Sequence, residues 1–180
     1  MSVQPEAASV RKTTVWPPPL FFPVSVTKLL VMSTATLGVY QLYWFWRNWD
    51  LVKSRERTRI LPFMRALFPI FFVYALLERI YEEQPSSRQP VLLAVPWILL
   101  GIAWRLPGAW SFVAFAGVLF LVPAQRTANR RNARAAPEHD RNERFTAWNW
   151  VTVGVGGVLL VLAVIGMFLP PSMTGDAPAP

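Results

Sequence analysis

The sequence predicts an all-α fold: a polytopic bundle of about four transmembrane helices, with a further re-entrant or interfacial helix. Two compositional observations support this prediction. Hydrophobic residues make up 53% of the 180 residues, and charged residues make up 16%, against roughly a quarter in an ordinary soluble domain. The third observation is that the charges cluster between apolar runs, several of which approach the roughly 20 residues that a membrane-spanning helix needs.

The predicted bundle (24–170) lies between a proline-rich polar tail (1–23) and a short disordered tail (171–180). Pro17, Pro18 and Pro19 favour a stiff extended segment, and the N-terminal tail lacks the apolar run of a signal peptide. Five apolar segments are predicted within the bundle: 26–49, 60–81, 91–104, 109–125 and 148–169.

The segment 26–49 organises the rest of the chain. Lys28 lies at its start, an uncharged run follows, and aromatic residues around Arg47 end it, as is typical of a helix that ends at a bilayer interface. Gly38 lies near its middle among serine and threonine residues. That composition permits either close helix packing or a break that produces a re-entrant hairpin. We expect the segment to span.

The segment 60–81 carries two charges, Arg65 and Glu78, and Pro69 within it predicts a kink. On one helix the two charges would be about 20 Å apart, too far to pair with each other. We expect both side chains to extend toward opposite interfaces, and a functional role as intramembrane charges is the alternative.

The region 91–125 has two explanations. The segment 91–104 is short for a span, at about 21 Å, so the region contains either two short spans or one span preceded by a re-entrant or interfacial helix. The segment 148–169 is the clearest span, because it carries no charge. Gly154, Gly156 and Gly157 within it, like Gly38 in the first segment, are candidates for close helix packing.

Charge bias decides between the topologies. If 91–125 crosses the membrane once, the two basic stretches, 50–59 and 126–144, share one side and with Arg47 bring together eleven lysine or arginine residues, whereas the loop at 82–90 on the other side has one. If it crosses twice, the two stretches lie on opposite sides of the membrane. The positive-inside rule favours the first arrangement, with both basic stretches in the cytoplasm and the C-terminal tail outside.

The two basic stretches are each bordered by aromatic and amide residues. We expect these residues to form an aromatic belt at the interface, and the alternative is a site for an anionic lipid headgroup. The candidates for an interface anchor or headgroup site are Tyr43, Trp44, Trp46, Arg47, Asn48, Trp49, Trp148, Asn149 and Trp150.

The motif TLGVYQLYW at 36–44 resembles the T-x-G-x-Y-x-x-Y-W signature in the first apolar segment of a bacterial integral-membrane family of unknown function. The likeness covers residues 20 to 55 closely, and the stretch RNERF at 141–145 is similar to one that precedes the last helix of related membrane proteins. The resemblance implies a multi-pass protein of the bacterial inner membrane. It implies no activity, and the zinc ribbon of some relatives has no counterpart here because this chain has no cysteine.

Catalysis is not expected from this sequence. His139 is the only histidine, and neither a phosphate-binding loop nor a nucleophile-elbow motif occurs. We therefore predict a non-enzymatic protein without cofactor or metal, serving as a scaffold or accessory subunit with anionic-lipid contacts at its cytoplasmic face. A membrane-protein partner or a homo-oligomer is the expected assembly, and nucleic acid is not an expected partner. The alternative is a small transporter or channel-like protein that uses polar groups within the bundle.

Overall fold

The computed structural model describes residues 17–84, 87–103, 105 and 113–168. Within these residues the regular structure is helical and contains no strand, which confirms the all-α prediction. Most of the predicted N-terminal tail, the C-terminal tail and residues 104 and 106–112, which include the end of the third apolar segment and the start of the fourth, lie outside the described residues. Seven helices are described: α1 (Val26–Ala35), α2 (Val39–Glu56), α3 (Pro62–Leu67), α4 (Pro69–Ile80), α5 (Gln89–Ala103), α6 (Gly117–Ala135) and α7 (Ala147–Phe168).

The first apolar segment, 26–49, is two helices and not the single span that we expected. Leu37 and Gly38 have φ angles of 51° and 92°, and the Gly38 amide donates to the Ser33 carbonyl at 2.8 Å. Two successive left-handed residues end α1 and reverse the chain, and glycine adopts this conformation without steric cost. Phe22, just before α1, consequently packs edge-on against Tyr43 of α2, with ring centroids 5.5 Å apart. α1 and α2 therefore form an antiparallel hairpin, the alternative that the glycine permitted.

The second segment, 60–81, is also broken. Phe68 ends α3 and Pro69 occupies the first turn of α4, where its missing N–H costs nothing. The proline expected to kink one helix therefore begins a new one. Arg65 and Glu78 lie on different helices, so the 20 Å separation predicted along a single helix does not apply.

The helices α5 and α6 of the region 91–125 run in opposite directions. Gly117, at the start of α6, lies beside Trp97 and Leu100 of α5, and the later part of α6 returns to the turn that precedes α5. α6 continues to Ala135, so half of the stretch 126–144 is helical and not the loop that its charges suggested. The first basic stretch is likewise helical as far as Glu56.

The charged connections meet at one end of the bundle, which we call the polar end. Arg79 pairs with Glu56 at 2.9 Å, Arg131 pairs with Glu83 at 3.0 Å, and Arg55 donates to the Leu20 carbonyl at 2.8 Å. The turn at 82–84 thus lies beside the basic part of α6. This corrects the predicted topology, in which the loop at 82–90 lay on the opposite side from both basic stretches.

The opposite, apolar end is where the helices turn or begin. Gly38, Pro69, Gly101 and Gly117 line one cavity of about 420 Å³ there, together with Ala163 of α7. The described chain therefore runs three times from the polar end to the apolar end and back. We call these passages the three excursions, and they comprise residues 26–56, 57–80 and the described parts of 89–135.

The core lies inside these three excursions. Its largest fully buried side chains are aromatic and come from α2 and the extended segment before α1: Trp44, Trp49, Phe45 and Phe21. α4 contributes Val73, Leu76, Leu77 and Ile80, and α6 contributes Leu121 and Ala124. These aliphatic side chains enclose the aromatic ones, so α2 is the central helix.

α7 differs from the other helices. Residues Ala147–Gly166 have a mean hydropathy of 2.0, and only 6% of the most apolar window is buried. By length and composition, α7 is the one helix among the described residues that is long and apolar enough to cross a membrane. About four such spans were predicted, and the breaks at Gly38 and Phe68 are the reason that the first two segments fall short.

Candidate functional site

A cluster of buried amide side chains holds the extended segment 21–24 at the polar end. Asn132 of α6 uses both of its polar atoms on one residue: its Oδ1 accepts from the Phe21 amide at 3.0 Å, and its Nδ2 donates to the Phe21 carbonyl at 2.8 Å. This pair of hydrogen bonds resembles the pair that one residue makes with a neighbouring β-strand. It satisfies peptide groups that would otherwise be buried without a partner.

Asn48 and Gln125 continue the pairing along the segment. Asn48 Oδ1 accepts from the Phe22 amide at 3.1 Å, and Gln125 Nε2 donates to the Phe22 carbonyl at 3.1 Å. Trp44 donates its indole N–H to Gln125 Oε1, which fixes the orientation of that amide. Asn48, Gln125 and Trp44 are completely buried, so α2 and α6 are joined through the segment that lies between them.

Asn129 and Asn142 complete the cluster by donating to the carbonyls of Val24 and Pro23, at 2.9 Å and 3.2 Å. Gln125, Asn129 and Asn132 lie on one face of α6 because their spacing of four and three residues matches the helical repeat. The sequence interpretation missed this cluster. The spacing was its only signal, and it was hidden in a stretch taken for a solvated loop.

Lys28 lies beside the cluster and is itself buried, with 3% of its surface exposed. Its ammonium donates to Asn142 Oδ1 and to the Arg144 carbonyl, both at 2.8 Å. The contacts tie the first turn of α1 to the connection before α7. Both helices therefore leave the polar end side by side.

The predicted interface anchors separate into two groups. Trp44, Asn48 and Trp49 are completely buried in the core, so they do not contact lipid headgroups and that prediction is corrected for these three. Aromatic character made them resemble interfacial residues, but α4, α6 and the segment 21–24 cover them. The remaining anchor candidates are at least partly exposed: Tyr43, Trp46, Arg47, Trp148, Asn149 and Trp150.

The exposed candidates form two small surfaces. Arg47 pairs with Asp50 at 3.2 Å and lies over the ring of Trp46, which packs against Tyr43. Trp148 is 79% exposed, at the start of α7. Asn149 accepts from the Thr146 amide at 3.0 Å, a capping contact that begins the helix.

The two intramembrane charge candidates are not near each other. The Arg65 guanidinium lies 4.4 Å from the Trp49 ring centroid and 5.0 Å from that of Phe72, so it is held by cation–π contacts. Glu78 is exposed and accepts a hydrogen bond from the Tyr74 hydroxyl at 3.4 Å. No contact on the described part of the chain joins Arg65 to Glu78.

The glycine candidates also differ from one another. A Cβ added to Gly156 would come within 1.7 Å of the Ala35 carbonyl oxygen, which shows that the backbones of α1 and α7 are in direct contact. A Cβ on Gly154 or Gly157 would meet nothing within 4 Å. Gly38 serves the turn between α1 and α2, as described above.

Three guanidinium groups at the polar end, those of Arg55, Arg79 and Arg131, donate to backbone carbonyls. Arg131 donates to the carbonyls of Arg79 and Ile80, at 2.6 Å and 3.2 Å, and so satisfies the end of α4 where the helix dipole is negative. Burial lowers the pKa of Arg55, while the neighbouring Glu56 carboxylate raises it. This end therefore combines a basic surface with a rigid interior.

No group of three or more histidine, cysteine, aspartate or glutamate side chains is arranged to hold a metal among the described residues. His139 is engaged through Nδ1 with the Ala136 carbonyl at 2.6 Å. The chemistry that the arrangement offers is positive charge, directed amide hydrogen bonds and apolar surface. Comparisons with protein-family models, curated proteins and solved structures gave no match.

Proposed function

We propose that the chain is a non-enzymatic membrane scaffold or accessory subunit, anchored by α7 and recognising anionic lipid with its basic polar end. The observation that carries the proposal is the exposure of α7, which presents an uncharged surface with almost no protein cover. Helices that form the core of a soluble protein are covered, whereas a span is covered by lipid. The helix begins with exposed Trp148 and Trp150, as expected at a headgroup interface.

In this proposal the other helices enter the bilayer from one side. Before its first charge, Arg47, α2 has eight uncharged residues, 39–46, which rise about 12 Å. The uncharged start of α6, 117–125, has a similar length, whereas a hydrocarbon core is about 30 Å thick. α2 and α6 therefore fit one leaflet, and α7 crosses both. α5, with 15 uncharged residues that rise about 22 Å, reaches beyond the midplane without crossing. Exposed apolar residues on the outer helices, such as Phe63, Phe71 and Leu99, would face the acyl chains.

The basic polar end then faces the cytoplasm by the positive-inside rule. Its exposed cations would be attracted to anionic headgroups, at about 1 kcal/mol for each lysine or arginine near the surface. The resemblance to a bacterial membrane family favours the bacterial inner membrane as its location. The transporter alternative has less support, because Arg65 lies over the rings of Trp49 and Phe72 and the buried amides are engaged with segment 21–24.

Thiol labelling tests the one-sided arrangement, since the chain has no cysteine of its own. Single cysteines would replace Ser54, Gln84 and Ala135, which are exposed at the polar end, and Thr174 in the C-terminal tail. We expect a membrane-impermeant reagent, applied to intact cells, to label only the cysteine at 174. Permeabilised cells should label all four.

The cysteine at 84 is the decisive one. Alternating spans would place it outside, opposite Ser54 and Ala135, so labelling of this cysteine in intact cells would contradict the one-sided insertion. Protection of the cysteine at 174 would instead show that α7 does not cross.

A further inference from the structure

A cleft of about 430 Å³ lies between the α1–α2 hairpin and the first turns of α7. Its lining changes with distance from the polar end. Lys28, Asn142 and Thr146 line the polar end of the cleft, and Met32, Val39 and Tyr40 line the part toward the apolar end. A volume of this size is in the range of sites that enclose a small ligand.

The cation in this cleft has no carboxylate in direct contact with it. Lys28 is 3% exposed, and its two protein acceptors, the Asn142 amide oxygen and the Arg144 carbonyl, are both neutral. An ammonium has three N–H donors, so one more acceptor can be bound. No carboxylate in the described ranges lies within 4 Å of the Lys28 ammonium. Burial lowers the pKa of Lys28, and the Asp140 carboxylate, which accepts from the Asn142 amide at 2.8 Å, raises it without touching the ammonium. A buried charge without a contacting counter-ion is costly, which favours an anionic occupant at the remaining N–H.

The walls of the cleft are held at a fixed separation. Gly156 brings α7 into backbone contact with Ala35 at the end of α1, one turn beyond the lining residue Thr152. At the polar end, Asn142 is itself fixed by donating to the Pro23 carbonyl. The cleft is therefore closed between α1 and α7 at its deep end and has a positioned cation at its shallow end.

We propose that this cleft binds one anionic glycerophospholipid, with Lys28 and Asn142 at the phosphate and one acyl chain along Met32, Val39 and Tyr40. The inference rests on the membrane embedding proposed above, and it adds a defined site to a general attraction between basic residues and headgroups. Charge complementarity selects the phosphate, because charge-assisted hydrogen bonds to an ammonium are stronger than those between neutral groups. The change from polar to apolar lining selects a lipid over a free anion.

Native mass spectrometry of the purified full-length chain, titrated with phosphatidylglycerol or phosphatidylcholine, tests the site. The matched control is Lys53→Met, which removes a cation from α2 at the same end that makes no ion pair with any described residue. We expect wild type and Lys53→Met to retain one phosphatidylglycerol tightly. Lys28→Met should bind it roughly tenfold more weakly or worse, because a charge-assisted contact is lost.

Two further arms identify the ligand. Phosphatidylcholine should bind weakly and equally to all three proteins, and an excess of inorganic phosphate should not displace phosphatidylglycerol. Equal retention by Lys28→Met and Lys53→Met would overturn the proposal. Displacement by inorganic phosphate would overturn it as well, since it would indicate a site for a small anion.

A second pair of variants covers a failure of Lys28→Met to fold. Thr152→Phe fills the cleft and leaves the cation in place, and Lys28→Arg keeps the charge. We expect loss of phosphatidylglycerol with the first and retention with the second, and the reverse would contradict the site. Flotation of each protein with vesicles tests membrane embedding separately. If wild type does not embed, the proposed function fails; if all variants embed and bind lipid equally, only the cleft proposal fails.

Discussion

Two tripeptides in this chain have similar compositions and opposite surroundings. Arg47-Asn48-Trp49 in α2 places its asparagine and tryptophan completely inside the core, whereas Trp148-Asn149-Trp150 in α7 exposes both tryptophans. α2 packs against α1, α3 and α4 and, through its buried amides, segment 21–24 and α6, whereas α7 packs mainly against α1. Local composition therefore does not decide whether a Trp-rich stretch is core or interface. The number of neighbours that cover it does.

The same contrast applies to whole helices. α7 carries no charge and is exposed along most of its length, whereas the apolar residues of α4 that face α2 are buried. If lipid covers α7, charges on its exposed face should damage insertion and leave the folded bundle intact. The three predictions below separate a helix that depends on lipid from a core that depends on packing.

The largest effect is expected from charges on α7. Leu159 and Leu162 are 51% and 58% exposed, so Leu159→Asp with Leu162→Asp removes little protein packing. Each aspartate near the centre of a span costs about 2.5–3.5 kcal/mol of insertion free energy. We expect the double variant to shift from the alkali-resistant membrane fraction to the extractable fraction.

The control for this prediction is Ala135→Asp, an exposed site at the polar end. It should remain in the membrane fraction as wild type does. If the double α7 variant also remains there, α7 is not held by the hydrocarbon core, and its exposed surface must be covered by another protein.

An intermediate effect is expected from Gly156→Leu. Any Cβ at this position would overlap the Ala35 carbonyl, so α7 must move away from α1. Overpacking of this kind typically costs about 1–3 kcal/mol of the free energy of unfolding, and more when backbone must move. We expect a decrease in the Tm measured by tryptophan fluorescence in detergent, or a lower steady-state level in the membrane.

Gly157→Leu is the matched control, because its Cβ would meet nothing within 4 Å. It should unfold at the wild-type temperature. Equal destabilisation by the two variants would mean that the loss does not come from contact with α1, since leucine favours a helix more than glycine does at both positions.

Much of the helical fold follows from apolar periodicity and charge spacing, and the breaks within it do not. The sequence predicted helices in all five apolar segments, but it assigned one span to 26–49 and a loop to residues 126–135 of α6. Gly38 signalled a break, yet the reversal also needs Leu37 in a left-handed conformation that leucine does not favour. Contacts between residues that are far apart in the sequence, such as those of Asn48 and Gln125 with Phe22, stabilise that reversal. No local sequence pattern predicts these contacts.

The candidate sites were predictable to a smaller extent. The basic residues and the exposed tryptophans of α7 were recognised from type alone. Lys28 was noted only as the start of an apolar run, because its burial depends on a loop more than a hundred residues away. The amide face of α6 begins at Gln125, the last residue of the predicted fourth segment, and continues into the basic stretch, where charge suggested solvent and concealed the helical spacing of Asn129 and Asn132.

The smallest effect is expected from substitutions in the two tripeptides. Asn48→Leu leaves the Phe22 amide buried without an acceptor, and an unsatisfied buried group costs about 1–3 kcal/mol of the free energy of unfolding. For a chain of this size, we expect a decrease in Tm of roughly 2–12 °C.

Asn149→Leu, the corresponding change in α7, removes one exposed capping contact and should cost about 1 kcal/mol or less. Measuring both variants by thermal unfolding in the same detergent compares the two asparagines directly. A larger loss for Asn149→Leu would contradict the assignment of the first tripeptide to the core and the second to the interface. The direction of the difference matters more than its size, because burial and not residue type is the variable being tested.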